Sequence, residues 1–279
     1  MIRTLRPEFP SISIHRMAQA LEVPRSLVYR SSLRKSRPDL LLGIEKLVTV
    51  FLGYGYRRVF RSLREHGFAC SEHEVRKTMR EHGLMARRPR SKGVTRASLR
   101  DLRAANLIKG LKAARIDEVW VADTTLIRAA SGKVYLACLE DLHSRKIVAW
   151  HVSRSNDEEL VRICLDKALQ KRRPAAGWIH HSDQGSTYTA SGYVRRIRDM
   201  GGRVSLSRPG KPRDNAHMES FFRTLKLEEA DRNRYNSFLE VHSAMKTYIE
   251  GIYNSTRMHS SLGYASPDQF ETRLAGEAQ

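Results

Sequence analysis

Cysteine is scarce in this chain of 279 residues: Cys70, Cys138 and Cys164 lie far apart and form no CxxC pair. That excludes a disulfide-stapled scaffold and a cysteine-built zinc cage. Cys138 and Cys164 sit in apolar surroundings and are expected to be buried thiols, which fits a reducing cytosol. No apolar run approaches the roughly 18 residues of a membrane span, and the first residues hold no h-region of an export signal. A cytoplasmic protein with no membrane partner is therefore expected. No long heptad run points to a coiled coil. His180 and His181 invite zinc, but no second histidine pair at ligand spacing accompanies them. Acids are scarce in one half only. Residues 1–115 carry 26 Lys and Arg against 9 Asp and Glu, a net of +17, whereas residues 116–279 carry +3 of the total of +20. A bland solvated surface would mix the signs; a front-loaded excess is the footprint of a polyanion binder, with nucleic acid the leading partner.

The basic half reads as helical. Two short helices, Ile14 to Leu21 and Arg25 to Arg30, with Pro24 opening the second, match a helix-turn-helix pattern over 1–37. A second helical segment covers 38–86. Asp39 can cap a helix running through Phe51, and another helix runs from Tyr56 to His66 and stops at Gly67. Ser71 with Glu74 forms a capping box for a third, which ends at the C′ glycine Gly83. Arg76, Lys77 and Arg80 face outward on that last helix and suit DNA phosphates or base edges; a basic solvated helix is the bland alternative. Between Arg87 and Arg100 there is no acid, and Arg87 and Arg88 open a basic linker over 87–115 able to track a phosphate backbone.

From Glu118 the pattern turns to short β-type runs. Strands are predicted at 119–127, 134–139, 147–152, 178–181 and 203–206, with helices over 156–170 and 191–200, which together make an α/β mixed sheet. Asp123 is the anomaly of the first strand, because aspartate is costly to bury between apolar neighbours. Either a hydroxyl such as that of Thr125 satisfies it, or it is a metal ligand. A second acid, Asp183, directly follows the fourth strand. After a loop with Pro209, Gly210 and Pro212, a helix runs from Asp214, its expected N-cap, to Lys226. Met218, Phe221, Phe222 and Leu225 form its apolar stripe, and Glu219, Arg223 and Lys226 lie together beside that stripe.

Three clusters carry a resemblance: Trp120-x-x-Asp123-x-Thr125, His181-Ser182-Asp183-x-Gly185-x-x-Tyr188 and Asp214-Asn215-Ala216-x-x-Glu219. They resemble the motifs of DDE transposases, above all the second-frame product (OrfB) of bacterial insertion sequences related to retroviral integrases. Between Asp183 and Glu219 lie 35 residues, as in that family, and Lys226 matches the family's basic residue two helical turns on. Tyr54-Gly55-Tyr56-Arg57-Arg58 and the run from Tyr253-Asn254 through Arg257, His259 and Pro267 to Phe270 are also typical, so the likeness spans about residues 50–272. It implies a ribonuclease-H-like core over 116–230, followed by a helical extension over 231–279. It also implies Asp123, Asp183 and Glu219 as catalytic residues and metal ligands. Phosphodiester chemistry of this kind uses two Mg²⁺ ions roughly 4 Å apart, with Mn²⁺ as a substitute, and oxygen ligands suffice to hold them. Lys226 and Arg223 are placed against DNA near the cut, with a plain surface charge an equal reading for Arg223.

The function so implied is transposition: cleavage at element ends and transfer of the 3′-hydroxyls into target DNA. The expected partners are double-stranded DNA (ends and target), further copies of the chain on DNA, and an upstream-frame product (OrfA), separate or fused by frameshifting. The rival from another class is a helix-turn-helix regulator carrying an inactive core. The three acids argue against it, because a dead core has no reason to keep them at this spacing.

Overall fold

The computed structural model describes residues 10–22, 37–86 and 105–277. The chain divides into two compact units, 1–42 and 43–279. In the first, helix α1 (Ile14–Ala20) is capped by Ser13, whose hydroxyl accepts the Arg16 N–H, and its buried Met17 and Ala18 are packed by Ile14 and Leu21. The partner helix expected over 25–30 lies outside the described residues, as do Arg87 and Arg88 and most of the basic linker. Helix α2 (Pro38–Val50) starts one residue before Asp39. Asp39 is therefore not the cap but a first-turn acid, and it accepts a bidentate pair from Arg37.

The second unit opens with α3 (Tyr56–Glu65) and α4 (Glu72–Glu81). The capping box at Ser71 forms in both directions, and Gly67 and Gly83 take the left-handed conformation that ends each helix. Val59 and Leu63 of α3 and Val75 and Met79 of α4 are buried.

The remainder is built on one sheet. Strands β1 (Val119–Ala129), β2 (Gly132–Asp141) and β3 (Ile147–Ser153) form an antiparallel meander. Helix α5 (Glu158–Arg172) then leads to β4 (Ile179–Ser182), and α6 (Ser191–Asp199) to β5 (Arg203–Leu206). Both later strands add in parallel, giving the order β3-β2-β1-β4-β5. Alternation along β1 splits the core in two. Trp120 and Ala122 face the layer of α5 and α6. Val119, Val121 and Ile127 face the opposite layer, made by α7 (Ala216–Leu225), α8 (Phe238–Lys246) and the π-helical turns that follow each of them. α9 (Pro267–Glu277) closes the chain. The apolar stripe of α7 is fully buried on this second layer, and each of its large side chains contributes about 1.5–3 kcal/mol. This is the ribonuclease-H-like mixed sheet with flanking helices, preceded by helical segments. Residues 105–107 run along β5, with Leu206 N–H donating to the Ala105 carbonyl and Leu107 N–H to Ser205 Oγ.

Candidate active site

The three acids arrive from three elements, and the sheet sets the first two. β1 and β4 pair in parallel with Val119 opposite Ile179 and Val121 opposite His181. Two residues further along each chain come Asp123, within β1, and Asp183, directly after the end of β4. Val119, Val121 and Ile179 all belong to the core layer under α7. By the period of two, Asp123 is directed toward that same layer.

Asp123 is half-buried, and its Oδ1 accepts the Thr124 N–H at 2.7 Å. The hydrogen bond thus comes from a backbone N–H rather than from the Thr125 hydroxyl that offered an alternative explanation. Asp183 is exposed at the strand end, where its Oδ1 accepts the Gly185 N–H at 2.9 Å. This tight turn explains the glycine. A Cβ on residue 185 would lie 2.9 Å from Asp183 Oδ1, closer than real Cβ contacts come. Gly185→Ala is expected to break this hydrogen bond and swing the Asp183 carboxylate out of place, with little change in melting temperature. An unchanged Asp183 carboxylate in a crystal structure of the variant would show that the turn does not set this side chain.

Glu219 follows Asn215, a member of the third motif for which the sequence suggested no role. Asn215, buried at the start of α7, donates its Nδ2 to the Ala122 carbonyl at 3.0 Å, next to Asp123 in β1. Glu219 is four residues on, one turn along the same helix face and about 6 Å away. Asn215 therefore fixes both where α7 begins and which way its acid points. Asp214, expected as the N-cap, has a different role. Residues Pro212–Asn215 form a 3₁₀ turn, and the Asp214 carboxylate accepts the Arg208 backbone N–H and its guanidinium, so its pKa is held well below the usual range. The cap was lost to Arg208 because a bidentate charged pair outweighs a neutral N–H. That pair also ties together the two ends of the Pro209–Pro212 loop.

Electrostatics link the acids. Burial first, and then the negative charges of Asp183 and Glu219, push the Asp123 carboxyl up to about 7, against smaller opposing effects from the Thr124 N–H and Lys226. Lys226 thus acts on Asp123 from the C-terminal end of the helix that carries Glu219. Among the described residues none of the three acids is in an ion pair, and no group of three Asp, Glu, His or Cys side chains is gathered tightly enough to hold a metal ion by itself. An oxygen-only donor set with unneutralised, mutually repelling charge fits a hard divalent cation in type and charge. The spacing is not that of a finished cage.

The other predicted site residues fall elsewhere. Arg76 and Arg80 are exposed and Lys77 half-buried on α4, with Arg76 stacked 5.4 Å over the Tyr56 ring. Arg223 is exposed one turn beyond Glu219 and lines a separate cavity. His180 and His181 bind no zinc partners among the described residues: Tyr193 Oη lies 2.8 Å from His180, and Ser205 and Ser207 hold the two ring nitrogens of His181. Burial lowers both histidines, to about 3 and about 4. Two residues of the C-terminal run make packing contacts. Asn254 exchanges two hydrogen bonds with the backbone of Ile147 and so closes the edge of β3, and Arg257 pairs with Glu228 in the π-turn after α7. None of these pairings has a local period that sequence inspection detects, since the partners lie 29 to 107 positions apart.

Comparison with known proteins agrees with this geometry. Residues 113–212 and 200–267 match two integrase core domain families, and residues 42–92 match an HTH-like domain family. The transposase for insertion sequence element IS904 of Lactococcus lactis subsp. lactis is 40% identical over 221 residues, 78% of this chain and 87% of that protein. The transposase for IS629 of Shigella sonnei is 33% identical over 78% of this chain and 73% of its own length, and that for IS3A of Escherichia coli K12 is 32% identical over 79% and 77%. The catalytic core domain of BIV integrase superposes with a TM-score of 0.44 at 17% identity, covering 58% of this chain and 99% of that one. Sheet order and family matches define an integrase-type core preceded by an HTH-like segment. The chain belongs to the transposases of bacterial insertion sequences.

Proposed function

We propose that this transposase cuts DNA at insertion-sequence ends and joins the freed 3′-hydroxyls to target DNA, with Asp123, Asp183 and Glu219 as its catalytic acids. The observation that carries the reading is that Asp123, in the middle of β1, feels the charges of Asp183, just past β4, and of Glu219, on a helix that Asn215 pins to β1. In the first step a water oxygen attacks the phosphorus at the element end and the 3′-oxygen leaves as a hydroxyl. In the second, that hydroxyl attacks a target phosphodiester, one P–O bond forming as another breaks. Asp123, the most buried of the three, is held up by burial and then by the charges of the other two, so it gains most from a cation placed among them. Asp183 and Glu219 keep the site anionic, and Lys226 draws the scissile strand's phosphate toward it. Mg²⁺ or Mn²⁺, held by these carboxylates, would supply Lewis-acid stabilisation of the charge that develops on the attacking and leaving oxygens.

Double-stranded DNA is the partner this reading requires, with Arg76, Lys77 and Arg80 on the HTH-like segment and Arg223 and Lys226 beside the acids making its phosphate contacts. Assembly of several copies on DNA and cooperation with an upstream-frame product belong to the same proposal. The test is to incubate the full chain, alone and with that upstream product, with end-containing duplex and Mg²⁺. Nicked ends and joined target products are expected, and EDTA should abolish both. Tight, end-specific binding without any product in Mg²⁺ or Mn²⁺ would instead identify a DNA-binding regulator, and nicks without joining would identify a nuclease.

A further inference from the structure

A cavity of about 750 Å³ opens on the far flank of the helix that carries Glu219. Its α7 wall is made by Ser220, Arg223 and Thr224, and Leu227 continues it into the π-turn; Arg223 is one helical turn, about 6 Å, from Glu219. The other walls come from the segment around Arg58 and from the C-terminal run around Arg257 and His259, with Arg145 and His217 at the base. Four guanidinium groups therefore surround one hollow.

Two of the four are already committed. Arg257 is paired with Glu228, and Arg145 with Glu140 and the His217 ring. Glu140 reaches the cavity too, but Arg145 faces it. Arg58 and Arg223 are in no ion pair among the described residues. Arg58 Nε is buried without a hydrogen-bond partner, and so is Nε2 of His259, a side chain only 9% exposed. A buried polar group left unpaired costs about 1–3 kcal/mol, and the Arg58 Nε–H, a donor in every state, calls for an acceptor from outside the chain. The surrounding field agrees. Burial and then Arg257, Arg58 and Arg145 push His259 down to about 3, and burial together with Arg257 also lowers Arg58. The positive charge in the hollow exceeds what the protein supplies to balance it.

We propose that this cavity is a second anion site, seating a phosphate of a DNA strand whose neighbouring phosphodiester lies at the three acids. Arg58 and Arg223 make the charged contacts, and His259 donates from its buried nitrogen. The choice of DNA as the source rests on the transposase reading; the anion site itself does not. An oxyanion bound by a guanidinium fork and an imidazole satisfies the orphaned donors and the excess charge together. It would hold the strand in register one helical turn from the reacting phosphate.

The test uses the full chain in EDTA, so that no metal contributes, and measures binding of a 5′-phosphorylated dinucleotide against its unphosphorylated form and against inorganic phosphate. The phosphorylated form should bind at least about tenfold tighter, as expected for charge-assisted hydrogen bonds. Arg58→Gln should erase that preference and Arg58→Lys restore part of it. Ser260→Glu, which places an acid on the exposed rim, should erase it without touching the buried walls, and so keeps the test open if Arg58→Gln fails to fold. The double variant Asp123→Asn with Asp183→Asn should retain the preference. Equal binding of the two dinucleotides, or a preference that survives both Arg58→Gln and Ser260→Glu, would sink the site. A preference lost in the double variant would place the anion at the acids instead, and competition by inorganic phosphate at equal concentration would make this a free-anion site. Should the chain keep the preference yet never cleave DNA, the anion site stands and the transposase reading fails.

Discussion

Asp123→Asn, Asp183→Asn and Glu219→Gln are each expected to lower cleavage and strand transfer by about 10³-fold, the scale of losing one well-placed electrostatic element from a transition state, while end binding stays within about threefold. The substitutions are close to isosteric, so folding is not at issue, and retained DNA binding separates chemistry from recognition. Strand transfer at the wild-type rate by any one of the three would remove that residue from the catalytic set. The Asp123 variant carries a second signature. Its carboxyl is held near 7 in the folded chain against 3.8 for the ordinary group. A group whose folded pKa is raised favours the folded state most below its unfolded pKa, and loses that contribution as pH climbs through the folded value. Without metal, the wild-type chain should therefore lose stability between about pH 4 and pH 7 through this residue, and Asp123→Asn should lack that slope. Mg²⁺ should restore stability at neutral pH in the wild type more than in the variant. Melting curves at several pH values in EDTA and in Mg²⁺ read both effects, and identical slopes for the two proteins would show that Asp123 is not charge-strained.

Asp123 was legible in the sequence because it violates a local rule: an acid in an apolar strand stands out against its neighbours. Glu219 was legible for a related reason, as a charge at the margin of a regular stripe of Met218, Phe221, Phe222 and Leu225. The strands came through because alternation and turn residues leave local signatures, and β5 falls at 203–206 as expected. Polar residues whose partners are remote leave no such trace. Nothing around Asn215 announces that its amide reaches Ala122, 93 positions away. Local reasoning also gave Asp214 the cap, a sound preference for an acid at a helix start that a nearby guanidinium overrode. Likewise Tyr253-Asn254 and Arg257 are visible as a motif but carry no chemistry until the fold shows an edge to close and a buried carboxylate to neutralise. Whether Lys77, Arg76 and Arg80 touch DNA depends on a partner surface, which neither periodicity nor packing encodes.

The second large effect concerns that buried carboxylate. Glu228 lies in the π-turn that follows α7, where the wider winding closes with Asp231 N–H donating to the Lys226 carbonyl and turns the acid inward. Its side chain is 0% exposed and that of Arg257 is 5% exposed. Two bonds of 2.9 Å join them, Tyr248 Oη donates to the same carboxylate at 2.8 Å, and the Arg257 guanidinium lies over the rings of Tyr54 and Tyr253. Tyr54 in turn accepts the Met258 N–H at 2.7 Å, so the pair sits where the segment before α3, the turn after α7 and the C-terminal run all meet. Arg257→Met would leave a carboxylate buried without its cation and should cost about 3–5 kcal/mol. For a unit of this size that lowers the melting temperature by about 10 °C or more. Combining it with Glu228→Leu removes both charges and should recover most of the loss, because desolvating an ion pair largely offsets its attraction. A double variant no more stable than the single one would mean that the pair is held by its hydrogen bonds to Tyr248 and the packing of Tyr54 rather than by charge. A single variant melting within about 2 °C of the wild type would show that water reaches the carboxylate and that the pair does not anchor the C-terminal run.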